Sequence, residues 1–251
     1  MELISMNGYI ALVGSGEYLP VMEHIDRYLL DHCGADGRKP RVVCLPTAAG
    51  QEGEESVGRW MRMGEEHFRS LGADVTALHL TNRQEADDPE NARVLKGADL
   101  IYFSGGHPLY LYQTLQGSQA WKAATSAWER GAVYAGCSAG AMILGRELPD
   151  LRGGADRGKA FGVLGARYIF PHFDRMQLMR PILTPFLKAH ARPGEYSLGI
   201  DEETALVGQL GGTWQAMGRS KVYVFTHETA TGYSDGQLVR LPNQPLSQEA
   251  E

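Results

Sequence analysis

Cysteine is scarce in this chain. Only three occur in 251 residues, Cys33, Cys44 and Cys137. They lie in unrelated segments without C-x-x-C spacing, which excludes a disulfide framework and a zinc knuckle and fits a reducing, cytoplasmic setting. Long apolar runs are absent as well. No stretch reaches 18 uninterrupted apolar residues, and the amino terminus has no basic stretch leading into an apolar segment and a cleavage site. Neither a membrane span nor secretion is expected. Met1 and Met6 are equally eligible as the biological start. Positive charge is not in excess either. Lys and Arg number 24 against 30 Asp and Glu, for a net charge of -6 and a pI near 5.8, so no broad basic footprint exists for DNA or RNA. His, Cys, Asp and Glu do not gather at zinc or calcium spacings, and no metal is expected. Gly14-Ser15-Gly16 begins like a dinucleotide fingerprint, but Leu19 stands where the third glycine belongs and no ribose-binding acid follows, so NAD is not expected.

What is present describes an ordinary globule: 43% hydrophobic residues, 22% charged residues and a mean hydropathy of -0.28. A chain of this length suits one large α/β domain that buries roughly three quarters of its unfolded surface. Apolar runs of strand length at 9–13, 41–45, 75–80, 99–103 and 132–135 alternate with helical patterns near 21–29, 54–71, 109–115 and 121–130. The runs lack polar alternation, the signature of a doubly wound, mostly parallel sheet covered on both faces. Beyond Gly199 the texture changes. Residues 204–207, 214–217, 221–225 and 238–241, separated by glycine-rich turns, read as antiparallel strands at the edge of the same sheet. Residues 1–241 are therefore expected to form a single α/β domain, without internal repeat or linker, and the polar 242–251 a loose tail.

The sharpest chemical signal is Gly136-Cys137-Ser138-Ala139-Gly140, between a strand run and a helix-like AMILG. In G-x-S-x-G the flanking glycines let the chain make a strained strand-to-helix turn that presents the central Ser138. The helix start beneath it offers the Ala139 amide to an oxyanion. Cys137 is a competing nucleophile in the looser frame Ala135-x-Cys137-x-Ala139, although Gly136 and Gly140 tolerate the tight turn better than alanines do. Ser104-Gly105-Gly106-His107-Pro108 follows another buried strand, at the carboxyl edge where open parallel sheets bind ligands. Its Gly106 amide is a second oxyanion donor and His107 a candidate substrate contact; a plain turn is the bland alternative.

A serine nucleophile needs a base. Of eight histidines, His172 ends the apolar run Tyr168-Ile169-Phe170-Pro171 and projects at the same edge. His227 is the weaker competitor, and His24, His32, His67, His79 and His190 fall in helix-like or peripheral stretches. The acid that orients the base is either Asp174 or a member of Asp201-Glu202-Glu203; spacing does not choose.

Taken in order, the glycine-ended first strand, LPTA (45–48), FSGG (103–106), GCSAGAM (136–142), PHFD (171–174) and GIDEETAL (199–206) resemble the serine peptidase family of peptidase E (aspartyl dipeptidase) and cyanophycinase. The resemblance implies a class I glutamine amidotransferase-like fold, a flavodoxin-like three-layer sandwich. It implies Ser138 as nucleophile, His172 as base, Glu202 as acid with Asp174 as alternative, and the glycine loop with Ala139 as oxyanion hole. It also implies an acyl-enzyme mechanism without cofactor. The expected partners are a small peptide or amide substrate with an aspartyl or β-aspartyl unit and, at most, a second copy of the chain in a homodimer. The chain departs from the family at His107-Pro108, in place of a polar pair, and after the histidine, where Arg175 and Arg180 stand in altered spacing. Arg175 is the expected contact to an acidic substrate group and Arg180 the reserve. Two rival functions stay open: a cysteine-dependent amidotransferase-like subunit using Cys137, and a non-catalytic small-ligand-binding protein.

Overall fold

The computed structural model describes residues 7–149, 158–176, 178 and 180–242. The first five strands are β1 (Ile10–Val13), β2 (Arg41–Leu45), β3 (Asp74–Ala77), β4 (Leu100–Phe103) and β5 (Val133–Cys137). β1, β4 and β5 are buried along their whole length, as unbroken apolar runs must be when both faces are covered. The remaining strands are β6 (Ala166–Phe170), β7 (Tyr196–Ile200), β8 (Thr204–Gly208), β9 (Trp214–Gly218), β10 (Lys221–Phe225), β11 (Ala230–Ser234) and β12 (Leu238–Val239). The helices are α1 (Glu23–Asp31), α2 (Glu54–Ser70), α3 (Arg83–Ala86), α4 (Pro89–Lys96), α5 (Pro108–Leu115), α6 (Gln119–Glu129), α7 (Ala139–Met142) and α8 (Arg180–His190).

An eight-stranded sheet runs in the order β12-β9-β8-β1-β5-β4-β2-β3. Its five strands from β1 to β3 are parallel, and β8, β9 and β12 extend it antiparallel. This is the mixed α/β architecture expected, with antiparallel strands from the last third at one edge. Two details differ. The run at 221–225 does not join that edge: β10 pairs with β7 and β11 in a second, four-stranded sheet ordered β11-β10-β7-β6. β11 itself carries no apolar signal, because ATGYS is exposed at four of its five positions. Sheet membership is a long-range property that an apolar run does not encode.

Side-chain alternation on β1 sorts the core. Ile10 and Leu12 join a cluster with Phe103, Leu198, Ile200 and Val224, so the second sheet covers that face. Ala11 and Val13 join Ile25, Leu29 and Phe68 of α1 and α2 on the other. The turn 201–203 carries the chain from β7 in the small sheet to β8 in the large one. Buried Asp201 anchors it, accepting from the Ser220 hydroxyl (2.7 Å) and the Lys221 amide (3.2 Å). The carboxyl ends of adjacent β1, β5 and β4 thus open beside the crossing. Among the described residues no helix is long and apolar enough to cross a membrane. Met1–Met6, and the predicted tail beyond Pro242, lie outside the described residues.

Candidate active site

Ser138 stands at the tip of β5 with φ 49° and ψ -104°, a left-handed conformation that a residue bearing a Cβ adopts only under constraint. The constraint is packing. A Cβ on Gly136 would lie 2.4 Å from the Gly140 carbonyl, and one on Gly140 2.6 Å from the Phe103 carbonyl oxygen; only glycine permits so tight a turn. The Ser138 amide donates to the Val13 carbonyl (2.9 Å) and the Tyr134 hydroxyl to that of Gly140 (2.7 Å). The helix after the serine exists, as its sequence suggests, but α7 is a single turn. Ala139 is its first residue, so its N–H has no intrahelical acceptor.

His172 follows β6 and also has positive φ, 49°. Its Nε2 lies 3.1 Å from Ser138 Oγ and its Nδ1 2.9 Å from Glu202 Oε1. The structure therefore brings Ser138, His172 and Glu202 into one hydrogen-bonded line. The other carboxylates do different work. Asp174 accepts the Glu202 amide at 3.0 Å and so holds the acid's backbone, while Asp201 is committed to the sheet crossing. His227 pairs with Glu228 at 3.3 Å, and the imidazole against Ser138 Oγ is that of His172. Arg175 donates from Nε to the second oxygen of Glu202 at 2.8 Å, with its side chain 76% exposed. The hydrogen bond from His172, aided by Arg175, holds the Glu202 carboxyl below its ordinary value against the effect of its partial burial.

Cys137 points elsewhere. It is fully buried, and its Sγ lies 2.9 Å from Glu17 Oε2. Burial, reinforced by the negative charge of Glu17, pushes the thiol well above the ordinary cysteine value, opposite to what a nucleophilic cysteine requires. Glu17 was not singled out by its sequence context, where it reads as the remnant of a failed dinucleotide motif. No local signal marks it, because its partner Cys137 comes from a segment 120 residues away.

The glycine loop lies against the serine: a Cβ on Gly105 would sit 3.3 Å from Ser138 Cβ. Gly106, with φ 142°, could carry no side chain, since a Cβ there would meet the Ala48 carbonyl oxygen at 2.4 Å. Exposed His107 is the N-cap of α5, its Nδ1 accepting the Tyr110 amide at 3.1 Å, so only its other ring nitrogen is left for a substrate. Arg180 opens α8, and its side chain lies outside the described residues. A cavity of about 1040 Å³ opens at the other end of the strands, between Arg38, Arg41, Asp99 and Arg130, and touches none of Ser138, His172 and Glu202.

With this geometry in hand, comparison with known proteins defines the class. A crystal structure of a peptidase from an acI-B1 Actinobacterium superposes with a TM-score of 0.83 at 34% identity, covering 94% of this chain and 97% of that one. This is an α/β peptidase. The model of Peptidase family S51 matches residues 10–213, and the chain belongs to that family, the peptidase E and cyanophycinase family its motifs resemble. Cyanophycinase of Synechococcus elongatus is 28% identical over 231 residues, 87% of this chain and 68% of that protein. Cyanophycinase of Trichormus variabilis is 23% identical over 249 residues, 95% of this chain and 79% of that protein.

Proposed function

We propose that this peptidase is of the serine type and cleaves small peptides or amides through an acyl-enzyme on Ser138. The observation that carries the reading is the continuous line from Ser138 Oγ through both His172 nitrogens to Glu202, anchored on a serine held in a strained elbow. In this reading Ser138 Oγ attacks the scissile carbonyl carbon as His172 Nε2 takes its proton. Glu202 stabilises the imidazolium through Nδ1. The tetrahedral intermediate collapses as the C–N bond breaks and the leaving nitrogen takes the proton from His172. Water, deprotonated by His172 Nε2, then attacks the acyl carbon; the Ser138–acyl bond breaks as His172 returns that proton to Ser138 Oγ. The Gly106 and Ala139 amides receive the oxyanion, each worth about 3–4 kcal/mol by comparison with single-donor removals elsewhere. No cofactor enters any step, and the three buried free cysteines suit a cytoplasmic location.

An aspartyl or β-aspartyl unit on the acyl side is the proposed preference. It is supported by the relatives named cyanophycinase and by exposed Arg175 at the rim. Only its Nε is engaged by Glu202, so the remaining guanidinium N–H groups are the donors it offers a substrate carboxylate. Two measurements test the reading. Treatment with a fluorophosphonate, followed by intact mass and peptide mapping, should place one adduct on Ser138; an adduct on another residue overturns the serine mechanism. A dipeptide panel with Asp, β-linked Asp, Asn or Ala on the acyl side, assayed on wild type and Arg175→Met, tests the pocket. Equal kcat/KM across the wild-type panel sinks the acidic preference and leaves the serine mechanism standing.

A further inference from the structure

The loop after β1 puts a carboxylate in the interior, and the chain makes two left-handed steps to do so: Gly16 at φ 87° and Tyr18 at φ 64°, on either side of Glu17. A bulky residue such as tyrosine at positive φ is a backbone outlier that survives only where surrounding contacts enforce it. Here the enforcement is visible. Tyr18 is buried among Phe68 and Tyr102, and its hydroxyl bonds Ser104 Oγ at 2.9 Å. The result is that Glu17, 8% exposed, faces two donors from two other segments: the Gly105 amide at 2.9 Å from Oε1 and the Cys137 thiol at 2.9 Å from Oε2.

The four consecutive amides of the glycine loop show what this contact achieves. Ser104 N–H donates to the Leu45 carbonyl (3.1 Å) and His107 N–H to that of Ala48 (2.8 Å). Gly105 N–H donates to Glu17. Among the described residues the Gly106 amide has no acceptor. Without Glu17, the Gly105 peptide would be free to rotate and the loop could present either amide, or neither, to a developing oxyanion. With it, the Gly105 peptide is pinned, and the amide left without an acceptor is the next one, that of Gly106, one residue on from the glycine that packs against Ser138.

We infer that Glu17 is a positioning residue that sets the oxyanion loop, pinning the Gly105 peptide on one side and, through the Cys137 thiol, the residue before the nucleophile on the other. The inference rests on the serine reading above and adds to it a residue outside the triad. Cys137 thereby acquires a role as a hydrogen-bond donor. The requirement on Glu17 is an acceptor of the right length, not a charge.

The experiment follows the second-order rate of fluorophosphonate labelling at Ser138 in the full chain, since the phosphoryl oxygen occupies the oxyanion position whatever the natural substrate. Thermal midpoints report folding, and kcat and KM are measured on the best dipeptide of the panel. Glu17→Leu should label about 30-fold or more slowly, and lower kcat in parallel with KM little changed, as expected for loss of transition-state stabilisation alone. Glu17→Gln, which keeps an acceptor for the Gly105 amide and turns its NH2 to the Cys137 sulfur, a weak acceptor, should recover to within about threefold of wild type. Glu17→Asp, one methylene shorter, should fall between and serves if the leucine variant does not fold. Wild-type labelling in a folded Glu17→Leu or Glu17→Asp overturns the inference; so does a Glu17→Gln as slow as the leucine variant, which would show that an acceptor for the Gly105 amide is not what sets the loop. Ser138→Ala separates this proposal from the one beneath it. If it still labels at the wild-type rate the serine reading fails, whereas an unlabelled Ser138→Ala beside a wild-type Glu17→Leu removes only the role of Glu17.

Discussion

Ser138 and His172, the two residues that would exchange a proton, both sit at φ 49°. Backbone strain of this kind costs about 1–3 kcal/mol per residue, and here it aims both side chains at one point. On the proposed mechanism, Ser138→Ala should remove at least about 10⁴ of the rate with the fold intact, because loss of the nucleophile would disable the whole triad. Ser138→Gly should be equally inactive yet more stable than the alanine variant, by about 1 kcal/mol in urea unfolding, since glycine relieves the left-handed turn. Equal stability of the two would mean that the turn stores no strain. His172→Gln should match Ser138→Ala in severity, and Glu202→Gln should cost less, because in the proposed mechanism the acid orients the base and enters no covalent step. Full activity in Glu202→Gln with a crippled Asp174→Asn would reassign the acid; with Asp174 bound to the Glu202 amide, the asparagine should cost little. Glu202 also carries a pH signature. Its carboxyl is held low in the native state, first by His172 and then by Arg175. Its contribution to stability is therefore complete above the unfolded value of about 4.3 and is lost as pH falls through the lower native value.

At the scale of elements, the site is assembled where three adjacent strands end, a fourth segment crosses between sheets and the segment after β6 brings in His172. β5 supplies the serine, β4 the glycine loop and β1 the segment bearing Glu17; the turn between β7 and β8 supplies the acid. Close approach of backbones makes this possible, so the glycines at the elbow are packing residues as much as conformational ones. Gly140→Ala drives a Cβ to 2.6 Å from the Phe103 carbonyl oxygen, against backbone that cannot yield as a side chain would. The variant should lose about 1–3 kcal/mol of stability and, because the elbow must shift, should lose activity out of proportion to that. A variant that is destabilised but retains wild-type kcat would show that the elbow tolerates the movement.

Across the whole molecule, the end opposite the serine is held by a different device. Asp99, at the start of β4 and 6% exposed, takes the Arg38 guanidinium through both carboxylate oxygens, the Arg41 amide at 2.8 Å and the Arg41 side chain at 3.2 Å. Burial alone would raise this carboxyl, but Arg38 and then Arg41 outweigh it and bring it to about 2. The sign of the pH dependence follows. Stability from this clamp is complete above the unfolded aspartate value of about 3.9 and disappears as pH falls through about 2. Both arginines are about half exposed, so solvent screening reduces the contribution to about 1–2 kcal/mol. Asp99→Asn should lose that amount at neutral pH, and its stability should fall less than wild type's between pH 5 and pH 2. Parallel pH curves for the two proteins would remove Asp99 as a source of acid sensitivity.

Local sequence carried much of this protein by itself. The alternation of apolar runs with helical stretches specifies parallel α/β layering because strands covered on both faces must be continuously apolar, and that follows from residue type alone. The glycine frame around Ser138 is legible for a similar reason: only small residues permit the turn, so the constraint is written where it acts. His172 was readable from its place at the end of an apolar run. What the sequence left open depends on which distant segments meet. Asp174 and Glu202 are both carboxylates at plausible spacing, and only the crossing of the 201–203 turn between two sheets brings Glu202, not Asp174, to the imidazole. The 221–225 run is as apolar as an edge strand of the main sheet, yet its partners, 196–200 and 230–234, place it in another. Glu17 has no local signature, because its two donors come from segments 88 and 120 residues away. Hydrogen-bond partners across such separations are settled by the packing of the whole chain, not by any window of it.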